Sequence, residues 1–310
     1  MMMPGDQENP QIPVNFDKSA IFTDWTPMAS LALTAPDAWV EPIYLDHLMG
    51  YFTYAEGFRG GGFNGGARTS SPIAIEPFRP EFINSYEIGF KSIGVERRMA
   101  LNVAAFYAER KDQQVPQITT DESTVPPQTD VLTRNAAEST TKGVEIELNG
   151  QPIEGLLIDS SMGYLDAKFN GFPGAQNAIT GAPIDRAGEA LPFVPKWQTH
   201  LGAQYSIEVP FPGPRWLQGW LTPRIDWTFV GRTVNWAPEL FQLVQEPRQI
   251  VNFRLSYDFN DDRTQVAFLA NNLADETYFI ESTAIPRVTG VVTRYYEPPR
   301  WFAVEISQRF

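Results

Sequence analysis

Strict alternation of apolar and polar residues recurs along the chain, and this period-two pattern restricts the fold more than any other feature. In "HLGAQYSIEV" the side chains of Leu201, Ala203 and Tyr205 share one face, whereas His200 and Gln204 share the other. Because successive side chains of a β-strand point to opposite faces, the pattern predicts strands with one apolar and one polar face. We find no long segment with a helical period, so the sequence predicts an all-β chain.

Eleven segments carry this alternation. The predicted strands span residues 25–34, 47–57, 82–92, 98–112, 139–150, 155–167, 197–208, 217–231, 249–259, 264–272 and 295–310. Their connections alternate in length along the chain. One strand ends in a short turn such as "SIGVERR" or "NDDR", and the next strand ends in a long polar stretch. The long stretches span residues 58–81, 113–138, 168–196, 232–248 and 273–294. In an antiparallel sheet this alternation places the long connections at one end, which is typical of an outer-membrane barrel and not of a soluble sandwich.

Charge and residue usage exclude several classes of function. The chain has 24 Lys plus Arg against 37 Asp plus Glu, a formal charge of -13, which disfavours nucleic-acid binding. It contains no cysteine, and the two histidines, His47 and His200, are far apart in sequence, so each is interpreted as a lone structural or surface imidazole and not as a metal ligand. Glu145 and Glu147 lie two residues apart and are interpreted as water-facing rather than as an acid–base pair. The sequence therefore predicts no catalytic site, metal centre or cofactor.

The two ends of the chain carry different signals. The first sixteen residues lack a basic flank and an apolar run of about 7–15 residues, so no signal peptide is predicted. No stretch approaches the roughly 18 apolar residues of a transmembrane helix. At the other end, "WFAVEISQRF" is interpreted as an outer-membrane assembly signal, because four apolar residues share one face of a terminal strand. These residues are Phe302, Val304, Ile306 and Phe310.

Five segments in order resemble the C-terminal half of TonB-dependent outer-membrane receptors. They are "YAEGFRGGGFN", "RPEFINSYEIGFKS", "LTRNAAESTTKGVEIEL", "FLANNLADETY" and "YYEPPRWFAVEISQRF", and they run from residue 54 to the end. The resemblance implies a barrel of about 22 strands in the bacterial outer membrane, with an N-terminal plug inside it. It also implies uptake of a scarce large solute, of the siderophore, cobalamin or oligosaccharide class, energised by TonB, ExbB and ExbD. Outer-membrane lipid and the barrel-assembly machinery are further expected partners.

On this resemblance the chain holds about 11 strands of the barrel and neither plug nor TonB box. Residues 1–24 are then expected to form a poorly structured, extracellular-loop-like segment, and residues 25–310 the C-terminal half of the barrel. An open half leaves unpaired backbone groups at two sheet edges, which is costly in hydrocarbon, so a truncated gene or fragment that does not function alone is expected. A separate gene for the first half and a small self-closed barrel are alternatives. The alternative functions are a passive porin-like barrel and, less favoured, a soluble β-sandwich binding module.

Candidate site residues follow from the face assignment and the resemblance. Residues 54–67 contain six glycines, and Arg59 and Asn64 within this glycine-rich run are candidates for ligand contact at the barrel mouth. A purely structural explanation, in which the glycines allow tight backbone turns, is favoured over ligand contact. A phosphate-binding loop is excluded, because no Gly-Lys-Ser/Thr follows. The candidates for lumen and plug contact are Glu87, Lys91, Glu145, Glu147, Arg224, Asp226, Arg254 and Asp258.

Overall fold

The computed structural model describes residues 18–64, 76–121, 128–177, 179–210, 213–234, 240, 243–259, 263–284 and 291–309. These residues form sixteen strands. The strands are β1 (Met28–Thr34), β2 (Leu45–Arg59), β3 (Glu81–Gly94), β4 (Met99–Asp121), β5 (Gln128–Ile153), β6 (Leu156–Gly171), β7 (Ala175–Gln176), β8 (Pro183–Ile184), β9 (Trp197–Tyr205), β10 (Ile207–Val209), β11 (Gly219–Val230), β12 (Arg248–Phe259), β13 (Thr264–Asn271), β14 (Phe279–Ala284), β15 (Val292–Tyr296) and β16 (Trp301–Gln308).

Helical structure in the described residues is confined to three short segments. They are α1 (Asp37–Val40), a 3₁₀ turn over Glu41–Ile43 and a second 3₁₀ turn over Arg215–Leu217. None of these helices has the length and apolar character needed to cross a membrane.

Eleven strands form one continuous antiparallel path in the order β1-β2-β3-β4-β5-β6-β9-β11-β12-β13-β16, and β10 pairs with β11 beside it. The hairpins β7–β8 and β14–β15 lie off this path. The predicted number of eleven strands is therefore confirmed. A β-sandwich would need two stacked sheets, so the single path contradicts that alternative. Strands β1 and β16 stand at the two ends of the path, and all seven residues of β1 are exposed.

Most of the long and short connections lie at opposite ends of the sheet, as predicted. The exceptions are residues 35–44 and 210–218, which are of intermediate length, and the six residues 122–127 that join β4 to β5. Residues 35–44, 95–98, 154–155, 210–218 and 260–263 join strands at one end, here called the short-turn end. Residues 60–80, 122–127, 172–196, 231–247 and 272–300 join them at the other, here called the long-loop end. Because neighbouring strands on the path are antiparallel, the chain reaches the long-loop end after every second strand.

The prediction of a loop over residues 113–138 is wrong, because the described residues of this range form strands. Strands β4 and β5 stay paired as far as Asp121 and Gln128, so they extend beyond the sheet as a ribbon. A small apolar core stabilises this extension, because burial of apolar side chains offsets the entropy lost on ordering the backbone. Its buried members at the long-loop end are Val115, Ala137, Ala167, Phe169, Phe172, Ala175 and Leu191.

The predicted start of the last strand, at residue 295, is also wrong. Residues 292–296 pair with β14 in a separate hairpin, and pairing with β13 begins only at Trp301. Between these segments lie Pro298 and Pro299, which have no backbone N–H to donate to a sheet. The predicted strand over 197–208 is interrupted at Ser206, whose N–H donates to Gly155 O at 2.9 Å.

The sheet has one polar and one apolar face. Residues directly opposite each other on antiparallel strands share a face, so the register carries each face from strand to strand. On the apolar face, large side chains are strongly exposed, with Ile88 at 61%, Val304 at 68% and Ile306 at 72%. Continuous exposure of this kind indicates an apolar environment around that face, because soluble monomers rarely present large apolar patches to water. Phe302 lies on the same face, whereas Phe310 is outside the described residues.

Candidate functional site

All eight candidate lumen residues lie on the polar face. Lys91 is opposite Asn102, which is opposite Glu147, and the same row continues through Ser161 to His200. The remaining candidates follow from the two-residue spacing along each strand and from further opposed pairs. The full set of eight candidates is Glu87, Lys91, Glu145, Glu147, Arg224, Asp226, Arg254 and Asp258. Their contact with a plug stays a prediction.

Four charged or titratable residues meet on this face, and we call them the Arg224 cluster: Asp159, His200, Arg224 and Asp226. The Arg224 guanidinium donates to Asp159 at 3.0 and 3.2 Å and to Asp226 at 2.6 and 3.0 Å. His200 Nε2 lies 2.9 Å from Asp159 Oδ2. Strands β6, β9 and β11 supply these side chains, and each is between 23% and 35% exposed.

The Arg224 cluster contains a donor set that metals use, since the ligand atoms of Asp159, His200 and Asp226 lie within 4.8 Å of one another. However, Arg224 Nη2 contacts Asp226 Oδ1 at 2.6 Å and Asp159 Oδ2 at 3.2 Å. The guanidinium therefore already contacts both carboxylates that a cation would need and cancels one of their two negative charges. This geometry supports an ion-pair network on the polar face in preference to a metal centre.

Sequence reasoning missed the Arg224 cluster and treated His200 as isolated. Its partner Asp159 lies 41 residues away in sequence and becomes a neighbour only because β6 and β9 pair. One local signal was available, because Arg224 and Asp226 are two residues apart on a strand and must share a face.

A second polar network surrounds Arg254, which is directly opposite Arg224 in the register. Like charges at opposed positions repel, and each guanidinium points to its own acceptors. Arg254 Nη2 donates to Gln265 Oε1 at 2.8 Å and lies 3.3 Å from Glu305 Oε1. Gln265 in turn donates to Asp258 Oδ1 at 2.7 Å, so strands β12, β13 and β16 are linked across the polar face.

At the long-loop end, Asn64 makes two hydrogen bonds to one residue of the ribbon. Its side-chain amide donates to Thr133 O at 3.1 Å and accepts from Thr133 N–H at 2.8 Å. The backbone carbonyl of the other candidate, Arg59, accepts a hydrogen bond from Gln114 at 3.5 Å. A structural role for Asn64 is thus evident, and ligand contact by either residue stays a prediction.

The glycines beside Asn64 have a steric reason. A Cβ atom on Gly61 would lie 2.7 Å from Phe22 Cζ, and one on Gly62 would lie 2.7 Å from Phe78 Cζ. Real Cβ atoms do not approach heavy atoms this closely, so the packing of these rings against the backbone requires glycine. This supports the backbone explanation of the glycine-rich run for its described part.

A cavity of about 270 Å³ opens at the long-loop end, and we call it the rim pocket. Gln198, Val230 and Arg248 form one side of it as consecutive cross-strand neighbours on the polar face of β9, β11 and β12. Three connections supply the rest of the wall. The other lining residues are Phe193, Pro195, Thr233, Val234, Leu243, Gln245, Phe279, Ile280 and Ser282.

Arg248 is the charged residue among those lining the rim pocket. Its guanidinium carbon lies 4.9 Å from the centre of the Tyr278 ring, a cation–π contact. Among the described residues, no carboxylate lies within 4.0 Å of its side-chain nitrogens. Burial, and then the charge of Glu297, raise the pKa of the Tyr278 phenol, whereas Arg248 lowers it. Tyr278 is therefore neutral at pH 7 and does not cancel the charge of Arg248.

A family model described as TonB dependent receptor-like, beta-barrel matches residues 5–273 of the chain. Among solved structures, the ferric yersiniabactin uptake receptor FyuA from Yersinia pestis is 19% identical with a TM-score of 0.64. That alignment covers 89% of this chain and 36% of FyuA.

Two receptors from Acinetobacter baumannii are similarly related. The ferric preacinetobactin receptor BauA is 22% identical with a TM-score of 0.60, covering 91% of this chain and 36% of BauA. The siderophore receptor PiuA is 19% identical with a TM-score of 0.60, covering 84% of this chain and 33% of PiuA. At these identities the likeness shows the fold, and the chain spans about a third of the length of each structure.

Proposed function

The chain belongs to the TonB-dependent receptor family of β-barrels, and from this membership we propose that it forms the C-terminal half of an active outer-membrane receptor. In this proposal residues 25–310 are barrel wall, and residues 1–24 belong to an extracellular loop. The receptor takes up a scarce large solute, using energy that TonB, ExbB and ExbD deliver through a plug. Outer-membrane lipid and the barrel-assembly machinery are its other partners.

The observation that carries this proposal is the one-sidedness of the eleven-stranded path. An apolar face without a covering layer suits contact with lipid, and a face with charged networks suits a water-filled or plugged lumen. The Arg224 cluster and the Arg254 network are then wall residues available to a plug. The long-loop end faces the outside of the cell, since outer-membrane barrels place their long loops there.

For the solute, we propose the ferric siderophore class ahead of cobalamin and oligosaccharides. The support is that FyuA, BauA and PiuA are described as receptors for siderophores or their ferric complexes. The rim pocket at the long-loop end is consistent with a binding region accessible from outside.

The test is uptake in the host bacterium. The gene is deleted, and radiolabelled iron is supplied under iron limitation as a panel of ferric siderophores. We expect one chelate to lose uptake in the deletion strain and to regain it when the gene is restored. We also expect that uptake to stop when TonB is removed or the proton gradient is collapsed with a protonophore.

Two outcomes discriminate between the proposed functions. Uptake that depends on the gene but continues without TonB would support the passive porin-like alternative. Unchanged uptake of every chelate in the deletion strain, with the protein present in the parent's outer membrane, would contradict the siderophore proposal. Parallel assays with labelled cobalamin and an oligosaccharide then test the other solute classes.

A further inference from the structure

The rim pocket combines an apolar wall with one cation, Arg248, which has no carboxylate within 4.0 Å among the residues that the structure describes. Phe193, Leu243 and Phe279 contribute apolar surface, and Gln198 and Gln245 contribute amide groups. The Gln245 side chain is already engaged, because it accepts from Phe279 N–H at 3.1 Å and donates to Glu246 O at 3.0 Å. Arg248 is therefore the strongest donor that remains to face a bound molecule.

The electrostatics of this pocket favour an anion. A guanidinium pairs best with a planar oxyanion, to which it donates two parallel hydrogen bonds. The cation–π contact with Tyr278 holds the Arg248 side chain in position without consuming its charge. A carboxylate entering the pocket would thus meet a donor that is already oriented.

The apolar wall restricts which anions fit. A small hydrated anion such as phosphate would lose its water shell against Phe193, Leu243 and Phe279 without gaining partners there. An anion with an aromatic or aliphatic body avoids this cost, because burial of its apolar part is favourable. At about 270 Å³ the cavity is slightly smaller than the usual range for small-molecule sites, so it accommodates one moiety of a larger solute.

We propose that the rim pocket is a binding subsite for an apolar carboxylate, with Arg248 as the residue that binds the carboxylate group. The opening of this subsite toward the outside of the cell rests on the proposed function, whereas its ligand chemistry rests on the pocket alone. In a receptor, such a subsite would select solutes that carry a carboxylate on an aromatic or aliphatic unit.

The test uses the protein as the host bacterium makes it, purified from its outer membrane into lipid nanodiscs, and 4-(trifluoromethyl)benzoate, followed by fluorine NMR. The neutral 4-(trifluoromethyl)benzamide is the matched probe, because it has nearly the same shape without the charge. We expect saturable benzoate binding with a dissociation constant of about 1 mM or below, and benzamide binding at least about tenfold weaker. An excess of inorganic phosphate should not displace the benzoate.

Variants assign the carboxylate contact to Arg248. Arg248→Gln should weaken benzoate binding by at least about tenfold, and Arg248→Lys should restore part of it, since lysine keeps the charge but not the forked donor. Arg232→Gln is the matched control, because Arg232 is an exposed arginine whose Nε lies 3.7 Å from Glu246 and which does not line the rim pocket. It should leave the affinity within about twofold.

Three results would overturn the proposal: no saturable benzoate binding to the unmodified chain, equal binding of benzoate and benzamide, or equal losses in Arg248→Gln and Arg232→Gln. Because these measurements involve no transport, they are independent of the uptake test. Arg248-dependent binding without gene-dependent uptake would support the subsite and contradict the proposed receptor function. Gene-dependent uptake without Arg248-dependent binding would support the receptor function and contradict the subsite.

Discussion

The Nη1 atom of Arg224 lies 3.0 Å from Oδ1 of Asp159, although 65 residues separate them in sequence and a whole strand lies between them in the sheet. The contact crosses β9 at Gly202, which is opposite both Asp159 and Asp226 in the register. A Cβ atom at that position would lie 2.5 Å from Asp159 Oδ2 and 2.6 Å from Arg224 Nη2. The ion-pair network therefore depends on a glycine that takes no part in it chemically.

Replacing this glycine should separate the two charges. We expect Gly202→Ala to lower the free energy of unfolding by about 1–3 kcal/mol, because the methyl group displaces the paired side chains. Gly163→Ala is the control. Gly163 lies on the polar face of β6, as Asp159 does, and a Cβ atom there would approach no heavy atom closer than 4.0 Å. Urea unfolding followed by tryptophan fluorescence gives both values. Equal losses in the two variants would show that the Arg224–Asp159 contact contributes nothing.

The sequence was sufficient for the number of strands on the path and for their faces. Period two is a local property, so Val304 and Ile306 could be assigned to one face and Glu145 and Glu147 to the other without knowledge of any partner strand. Connection lengths are equally local, and together with antiparallel pairing they determine which end carries the long loops.

Features that depend on pairing between distant segments were not predictable from the sequence. His200 was interpreted as isolated because nothing near it in sequence reveals that Asp159 will lie 2.9 Å away. The ribbon of β4 and β5 was interpreted as a loop because its small core includes residues from the later connection, such as Phe172 and Leu191. The rim pocket likewise joins three separate connections around Arg248.

Asn135 connects the ribbon to the segment that precedes β3. It accepts from Arg79 N–H at 2.6 Å and donates to Arg79 O at 2.7 Å and to Asp112 O at 2.8 Å. We expect Asn135→Ala to lower the free energy of local opening by about 1–3 kcal/mol, because backbone groups lose their partners. Hydrogen exchange at residues 76–81 and 111–115 measures this effect. Asn149→Ala, an exposed position near the other end of β5, should leave the exchange at those residues unchanged.

The Tyr278 phenol gives a pH-dependent prediction. Burial raises its pKa above the ordinary value of 10.0, so the folded state favours the neutral form. This contribution to stability is fully present below about pH 10 and is lost as the pH rises through the raised value, because only the unfolded chain ionises readily there. We expect the unfolding free energy to fall over that range less in Tyr278→Phe than in the unmodified chain. Parallel pH profiles for the two proteins would contradict burial of this phenol.

The face assignment of the last strand gives the most direct test of the fold in a membrane. Val304 lies on the apolar face opposite Phe268, whereas Ser307 lies on the polar face opposite Gln265. An arginine on the lipid face costs about 2–4 kcal/mol near the bilayer midplane and much less in the lumen. We therefore expect Val304→Arg to reduce the amount of protein that the host bacterium assembles into its outer membrane, measured as protease-resistant protein, and Ser307→Arg to reduce it far less. Both variants add the same charge to the same strand, and Ile306→Arg controls for depth, because Ile306 neighbours Ser307 but lies on the apolar face opposite Val266. It should reduce assembly more than Ser307→Arg does. If Ser307→Arg reduced assembly as much as Val304→Arg and Ile306→Arg, the polar face would not line a water-accessible lumen, and the assignment of the two faces would have to be abandoned.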